Sequence, residues 1–206
     1  ESVGVPNQNL KVLAGGMSVA HQGFNALPAV DVEIQQIEAQ ASTQVLLNQN
    51  FTKNNLAQEV TEHPVSIVHL ATHGQFSSKA NETFILTWDN RLQLKELENL
   101  LQQRELKSPV EMLILSACQT AKGDDRAALG MAGVAVRSGA RSTVASLWSV
   151  EDFSTAELMH QFYQQLRRLD NSRAEALQQA QLSLLRSDDY RHPYYWAPFV
   201  LIGNWL

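Results

Sequence analysis

The sequence is poor in several things that would have announced a function. It has one cysteine in 206 residues, Cys118, which excludes an internal disulfide framework and a cysteine-rich zinc site and fits a reducing compartment. It has no excess of basic residues: 16 Lys+Arg stand against 21 Asp+Glu, a formal charge of −5, with no Lys/Arg-rich run. Nucleic-acid binding rests on neutralising many phosphates, so nucleic acid is not expected as a partner. No unbroken apolar run reaches the ~18 residues of a membrane span, so no membrane partner is expected either. Residues Glu1 to Asn9 lack an initiator Met, a basic segment and an apolar segment, and read as neither signal peptide nor anchor. A cytoplasmic piece of a longer chain is the expectation. Neither G-x-G-x-x-G nor G-x-x-x-x-G-K-[ST] occurs, Gly15-Gly16 reads as a turn, and no paired-carboxylate site or internal repeat is specified. No cofactor and no metal are expected.

What is present is a single globular domain's worth of sequence, 44% hydrophobic and 18% charged. Short, β-branched apolar runs at Lys11-Val12-Leu13, Val45-Leu46-Leu47, Val65 to Ala71, Val110 to Ala117, Ser142 to Leu147 and Phe199 to Ile202 read as strands. Helical patterns lie between them, at Asp31 to Gln40, Leu92 to Leu101, Leu129 to Ser138, Thr155 to Leu169 and Arg173 to Leu185, the last with an N-cap offered by Asn171-Ser172. The alternation predicts an α/β fold: one domain over 1–206 with three layers and a mostly parallel central sheet of about six strands. Val110 to Leu115 is almost continuously apolar, as in a strand covered by helices on both faces.

Ligands of parallel sheets bind where loops leave the carboxyl ends of strands. Thr72-His73-Gly74 follows one such strand and Cys118-Gln119-Thr120 another. If the two strands are neighbours, the imidazole and the thiol face one edge as a Cys/His dyad. A free thiol is only a few per cent thiolate at neutral pH, and a nearby histidine can take its proton. Gly74, with no side chain, lets its N–H join that of Cys118 in an oxyanion hole. This set supports acyl transfer. The plainer reading is that Cys118 is core filler and His73 a surface residue. His69 and His73 have H-x-x-x-H spacing, but four residues of strand span ~13 Å, too far to share a metal. His69 reads as a satisfied sheet histidine, and His21, His63, His160 and His192 as surface residues.

His69 to Gly74 and Leu115 to Thr120, followed by Gly139-Ala140-Arg141-Ser142-Thr143-Val144-Ala145-Ser146-Leu147-Trp148-Ser149-Val150-Glu151-Asp152, closely resemble the CHAT domain, the caspase-like domain associated with tetratricopeptide repeats. The likeness continues through Glu175-Ala176-Leu177 and His192 to Ala197, and covers roughly Leu27 to the C-terminus. It implies a caspase/separase-type cysteine endopeptidase fold, with His73 and Cys118 on the catalytic positions and Gly74 on the oxyanion position. The His-to-Cys separation is 118 − 73 = 45 residues, near the ~50 of caspases. Ser116-Ala117-Cys118-Gln119-Thr120 departs from the Gln-Ala-Cys-x-Gly of caspases proper, so their Asp-selecting pocket is not carried over.

Acidic residues surround the expected site: Asp124 and Asp125 in the loop after Cys118, and Asp152 beyond the Ser142 to Leu147 strand. One hypothesis has Asp152 line a pocket for a Lys or Arg before the scissile bond. Its rival has Asp152 cap a helix beginning near Phe153. Asp124 and Asp125 belong either to a solvated turn or to a specificity loop. The expected partners are a protein or peptide substrate and, as the resemblance implies, an upstream repeat region or regulatory protein that gates activity. A catalytically silent interaction module is the alternative, and a nucleotide-binding domain a third reading.

Overall fold

The computed structural model describes residues 10–77, 82–105, 109–116, 119–120, 139–168 and 170–206. Six strands form the main sheet: β1 (Lys11–Gly16), β2 (Ser42–Leu47), β3 (Ile67–Ala71), β7 (Met112–Leu115), β9 (Ser142–Ser146) and β10 (Phe199–Gly203). Their order is β10-β9-β7-β3-β1-β2, parallel throughout except for β10, which pairs antiparallel with β9 at the edge. All six stand on the predicted apolar runs, but β1 continues through Gly15 and Gly16, which pair with β2 and β3 and are strand where a turn was expected. The near-continuous apolar character of β3 and β7 has its cause here, since every residue of both is buried.

Alternation sends successive side chains into two separate cores. Leu13, Val68, Leu70, Leu113 and Leu115 face one layer, made by α2 (Lys53–Glu62) and α3 (Leu94–Glu105) through Leu56, Val60, Leu97 and Leu101. Val12, Ala14, Ile67, Ile114 and Val144 face the other. That layer is made by α1 (Ala29–Glu38), α4 (Asp152–Leu166) and α5 (Arg173–Arg186), through Ile34, Ile37, Met159, Phe162 and Leu177. Burying one such side chain contributes about 1.5–3 kcal/mol, which makes these two layers the main source of stability. Gly15 is required by this packing: a Cβ there would lie 2.3 Å from Cε2 of the buried Phe51 ring.

Helix α5 opens on the expected cap, a capping box in which Ser172 accepts from the Glu175 N–H while the Glu175 carboxylate accepts from the Ser172 N–H. Helix α2 escapes a periodicity reading because only Leu56 and Val60 are buried on it, although Thr52 caps it by accepting from the Asn55 N–H. The Leu129 to Ser138 segment lies outside the described residues.

A second, four-stranded sheet was not foreseen. It contains β4 (Gly74–Phe76), β5 (Phe84–Leu86), β6 (Arg91–Gln93) and β8 (Gln119–Thr120), in the order β6-β5-β4-β8. Its strands have two or three residues each, too few to show a period. A short helix, α6 (Pro193–Trp196), precedes β10. No helix among the described residues is long and apolar enough to cross a membrane.

Candidate active site

The chain leaves the main sheet for the small one twice, each time from a strand paired with the other's. The first segment leaves β3 and enters β4; the second leaves β7 and enters β8. Strands β3 and β7 are parallel partners, with Leu70 opposite Leu115, and β4 and β8 are parallel partners, with Gln75 opposite Gln119. His73 lies between the strands of the first segment. Cys118 lies in sequence between those of the second, and is itself outside the described residues, as are Asp124 and Asp125.

His73 is held by two different parts of the chain. Its carbonyl accepts from the Leu86 N–H of β5 at 2.8 Å, while the preceding Thr72 hydroxyl donates to the Leu86 carbonyl at 2.9 Å. Its ring, half-buried, packs on Phe24 with centroids 5.0 Å apart, and its Nε2 lies 2.8 Å from the Asn25 carbonyl. A carbonyl only accepts, so Nε2 carries the proton and Nδ1 is left as the basic nitrogen.

Gly74, the first residue of β4, is buried and pairs with Ile85. Because Leu86 donates to His73, Gly74 and Ile85 form a non-hydrogen-bonded pair of the antiparallel ladder. The Gly74 N–H is therefore turned away from β5, toward the edge of β4 along which β8 runs.

Asp152 does not cap α4, which corrects that reading. The cap is Glu151: its backbone is extended and its carboxylate accepts from the Phe153 and Ser154 N–H groups at 3.1 and 2.7 Å. Asp152, the first helical residue, turns its carboxylate to the neighbouring helix instead, and Oδ2 accepts from the Ala29 N–H that opens α1, at 2.8 Å. The Asp152 pKa is raised. Burial is the largest cause, the Ala29 N–H opposes it, the charges of Glu33 and Glu151 add to it, and the nearby His73 opposes it. Asp152 and His73 thus share one electrostatic neighbourhood.

His69, four residues earlier and inside β3, is fully buried and satisfied, as read. Its Nε2 lies 2.8 Å from the carboxylate of Glu33 on α1, and its Nδ1 lies 3.2 Å from the hydroxyl of Tyr163 on α4. Burial, with Glu33's charge behind it, pushes the Tyr163 pKa well up and keeps the phenol protonated. Among the described residues no group of three His, Cys, Asp or Glu side chains is gathered for a metal. His21 departs from the surface role expected of it: its ring stacks on Trp88 at 3.9 Å.

Sequence reasoning missed the segment that carries Phe24 and Asn25. Its one signal is Gln22-Gly23, which forms the turn: both have positive φ, +50° and +84°, and His21 and Phe24 bond each other's main chain across them.

The fold is shared with solved cysteine proteinases. The chain is similar to the Arg-specific cysteine proteinase gingipain R at 9% identity and a TM-score of 0.62, over 98% of this chain and 48% of that one. It matches the complex of the pro- and mature domains of Porphyromonas gingivalis RgpB at 7% identity and the same TM-score, over 98% and 49%. It also matches protein GSU0716 from Geobacter sulfurreducens at 13% identity and a TM-score of 0.53, over 94% and 93%. The chain thus spans about half the length of the two proteinase chains. No curated protein sequence matches it. A three-layer, caspase-like fold of the cysteine-peptidase type is the class that these likenesses define. The model of the CHAT domain matches residues 3–204, and the chain belongs to that family.

Proposed function

We propose that this domain is a cysteine endopeptidase in which Cys118 is the nucleophile and His73 its base. The observation that carries the reading is that β3 pairs with β7 and β4 with β8, His73 falling in sequence between β3 and β4 and Cys118 between β7 and β8. The orientation of His73 supports it, because the Asn25 carbonyl fixes the Nε2 proton and frees Nδ1 for a thiol.

In the proposed reaction Nδ1 takes the proton of the Cys118 thiol, and the thiolate attacks the carbonyl carbon of the scissile peptide bond. The N–H groups of Gly74 and Cys118 hold the negative oxygen that forms. Collapse breaks the C–N bond, and the departing amine takes the proton from the imidazolium. A water that gives its proton to His73 then attacks the thioester, releasing the carboxylic acid and the free thiol.

Asp152 selects a Lys or Arg before the scissile bond in this reading. Oδ1 makes no hydrogen bond to a described residue, and a half-buried carboxylate favours a cation. Asp124 and Asp125 belong to the substrate-binding loop. The domain acts on a protein or peptide in the cytoplasm under the control of an upstream repeat region or a regulatory protein.

The test is mass-spectrometric analysis of a peptide library incubated with the wild-type chain and with Cys118→Ala. Cleavage after Lys or Arg by the wild type alone is expected, with Asp152→Asn shifting that preference. Cleavage that persists in Cys118→Ala removes the nucleophile assignment, and a preference unchanged in Asp152→Asn removes the pocket.

A further inference from the structure

The segment between β1 and α1, residues 17–28, is a strap across the carboxyl edge of the sheet, and it is hung from Trp88, in the connection between β5 and β6. At its tip, His21 Nε2 and Gln22 Nε2 both lie 2.8 Å from the carbonyl of Trp88, so both lone pairs of that oxygen are in use. Gln22 also donates to the Thr87 carbonyl at 3.3 Å. The His21 imidazole lies flat on the Trp88 indole, at 8° between planes. Trp88 is itself anchored, since its N–H donates to the carbonyl of the buried Phe51 at 2.8 Å.

The strap presents two groups to His73: the Phe24 ring, which also meets Phe84 edge-on at 6.4 Å, and the Asn25 carbonyl. Leu86, two residues before Trp88, meanwhile holds the main chain of His73. One stretch of chain, 84–88, therefore fixes the backbone of His73 directly and its ring through the strap.

We infer that His21 and Gln22, clasped on Trp88, are positioning residues that set the ring orientation and tautomer of His73. This rests on the reading of His73 as the base. The clasp carries the inference because, among the described residues, the hydrogen bonds made by side chains of the strap's tip are those of His21 and Gln22 to the 87–88 main chain; the Phe24 ring adds packing on Phe84 and the core behind it. The base of the strap is tied separately, by the Met17 N–H to the Ala71 carbonyl and by the Ser18 N–H to the Asn48 side chain. A free tip lets Asn25 drift, and a displacement of about 1 Å at a reacting group costs up to about 100-fold in rate.

The test is the double variant His21→Ala/Gln22→Asn. Asn tolerates the left-handed backbone at 22 but is one methylene too short to reach Trp88. Two quantities are read on wild type and variant: the tautomer of His73 from its ring ¹⁵N shifts, and kcat and KM on the peptide the wild type cleaves best. The expected result is loss of the pure Nε2–H tautomer and a fall in kcat of about tenfold or more, with KM within about twofold. A folded double variant with the wild-type tautomer overturns the inference, as does one with unchanged kcat. If the double variant does not fold, Gln22→Asn alone, at an exposed position, is decided by the same readings. A wild-type chain that cleaves nothing, even joined to its upstream repeat region or with its regulatory protein present, defeats the peptidase reading, while the tautomer still decides for or against the clasp.

Discussion

His69 and His73 are four residues apart, one inside β3 and one just past its end, and they live in opposite conditions. His69 has no exposure, both ring nitrogens face side chains, and those side chains, Glu33 and Tyr163, come from two of the three helices that cover that face of the sheet, α1 and α4. His73 is half-buried, has one nitrogen on a main-chain carbonyl, and leaves the other without a described partner. The same imidazole is spent on cohesion in one place and left partly unsatisfied in the other. Within a parallel sheet a residue that ends its hydrogen bonding inside the layers can only support, while one at the carboxyl edge has a free side facing the loops.

Substitution separates the two roles. His73→Ala is expected to lower kcat/KM about 10²–10⁴-fold on a cleaved peptide, the scale of general acid–base catalysis, with unfolding free energy changed by about 1 kcal/mol, as urea titration would show. A large loss of stability would mean that His73 is structural after all. His69→Ala should do the reverse and cost about 3–5 kcal/mol of stability, because it strands the buried Glu33 carboxyl; Tyr163→Phe removes only one hydrogen bond from the same ring and should cost about 1 kcal/mol. Equal losses for the two would show that the Glu33 contact is not the one that matters.

The smallest effect is in pH dependence. Burial raises the Asp152 pKa in the folded state, so the folded protein holds that proton more tightly than the unfolded chain does. Stability contributed by the group is then present at low pH and is lost as pH rises from the ordinary aspartate range through the folded value. Asp152→Asn, which keeps an oxygen for the Ala29 N–H, should flatten that part of the stability–pH curve and leave neutral-pH stability equal or slightly higher. An unchanged curve, measured by thermal unfolding from pH 4 to 7, would show that Asp152 is fully hydrated.

The contrast between the histidines was half legible in the sequence. The strand run from Val65 to Ala71 and the glycine after His73 were enough to put one histidine inside and one at the edge; the strand ends suggested the pairing with Cys118, and the family resemblance put both on catalytic positions. Glu33 was not legible. It sits in an amphipathic pattern where a charged residue reads as solvent-facing, and only the approach of α1 to β3 makes it a buried partner. The small sheet was hidden by the shortness of its strands. Phe24 and Asn25 were hidden because a carbonyl that orients a side chain has no residue type of its own. The role of Asp152 was displaced by a single position, since Glu151 and Asp152 are both acidic and only the backbone at 151 decides which one folds back onto the helix.

The parallel pairing of β3 with β7 has a kinetic consequence. Leu70 and Leu115 face each other across 115 − 70 = 45 positions of chain, and no tight turn can zip such strands together. Loop-closure entropy must be met before the contact rewards it, so this junction forms slowly compared with helices α4 and α5, which are joined by a few residues. A nascent chain carries His73 and Cys118 long before it brings their strands together. If the proposed peptidase activity is found, its appearance during refolding should report the closing of the sheet.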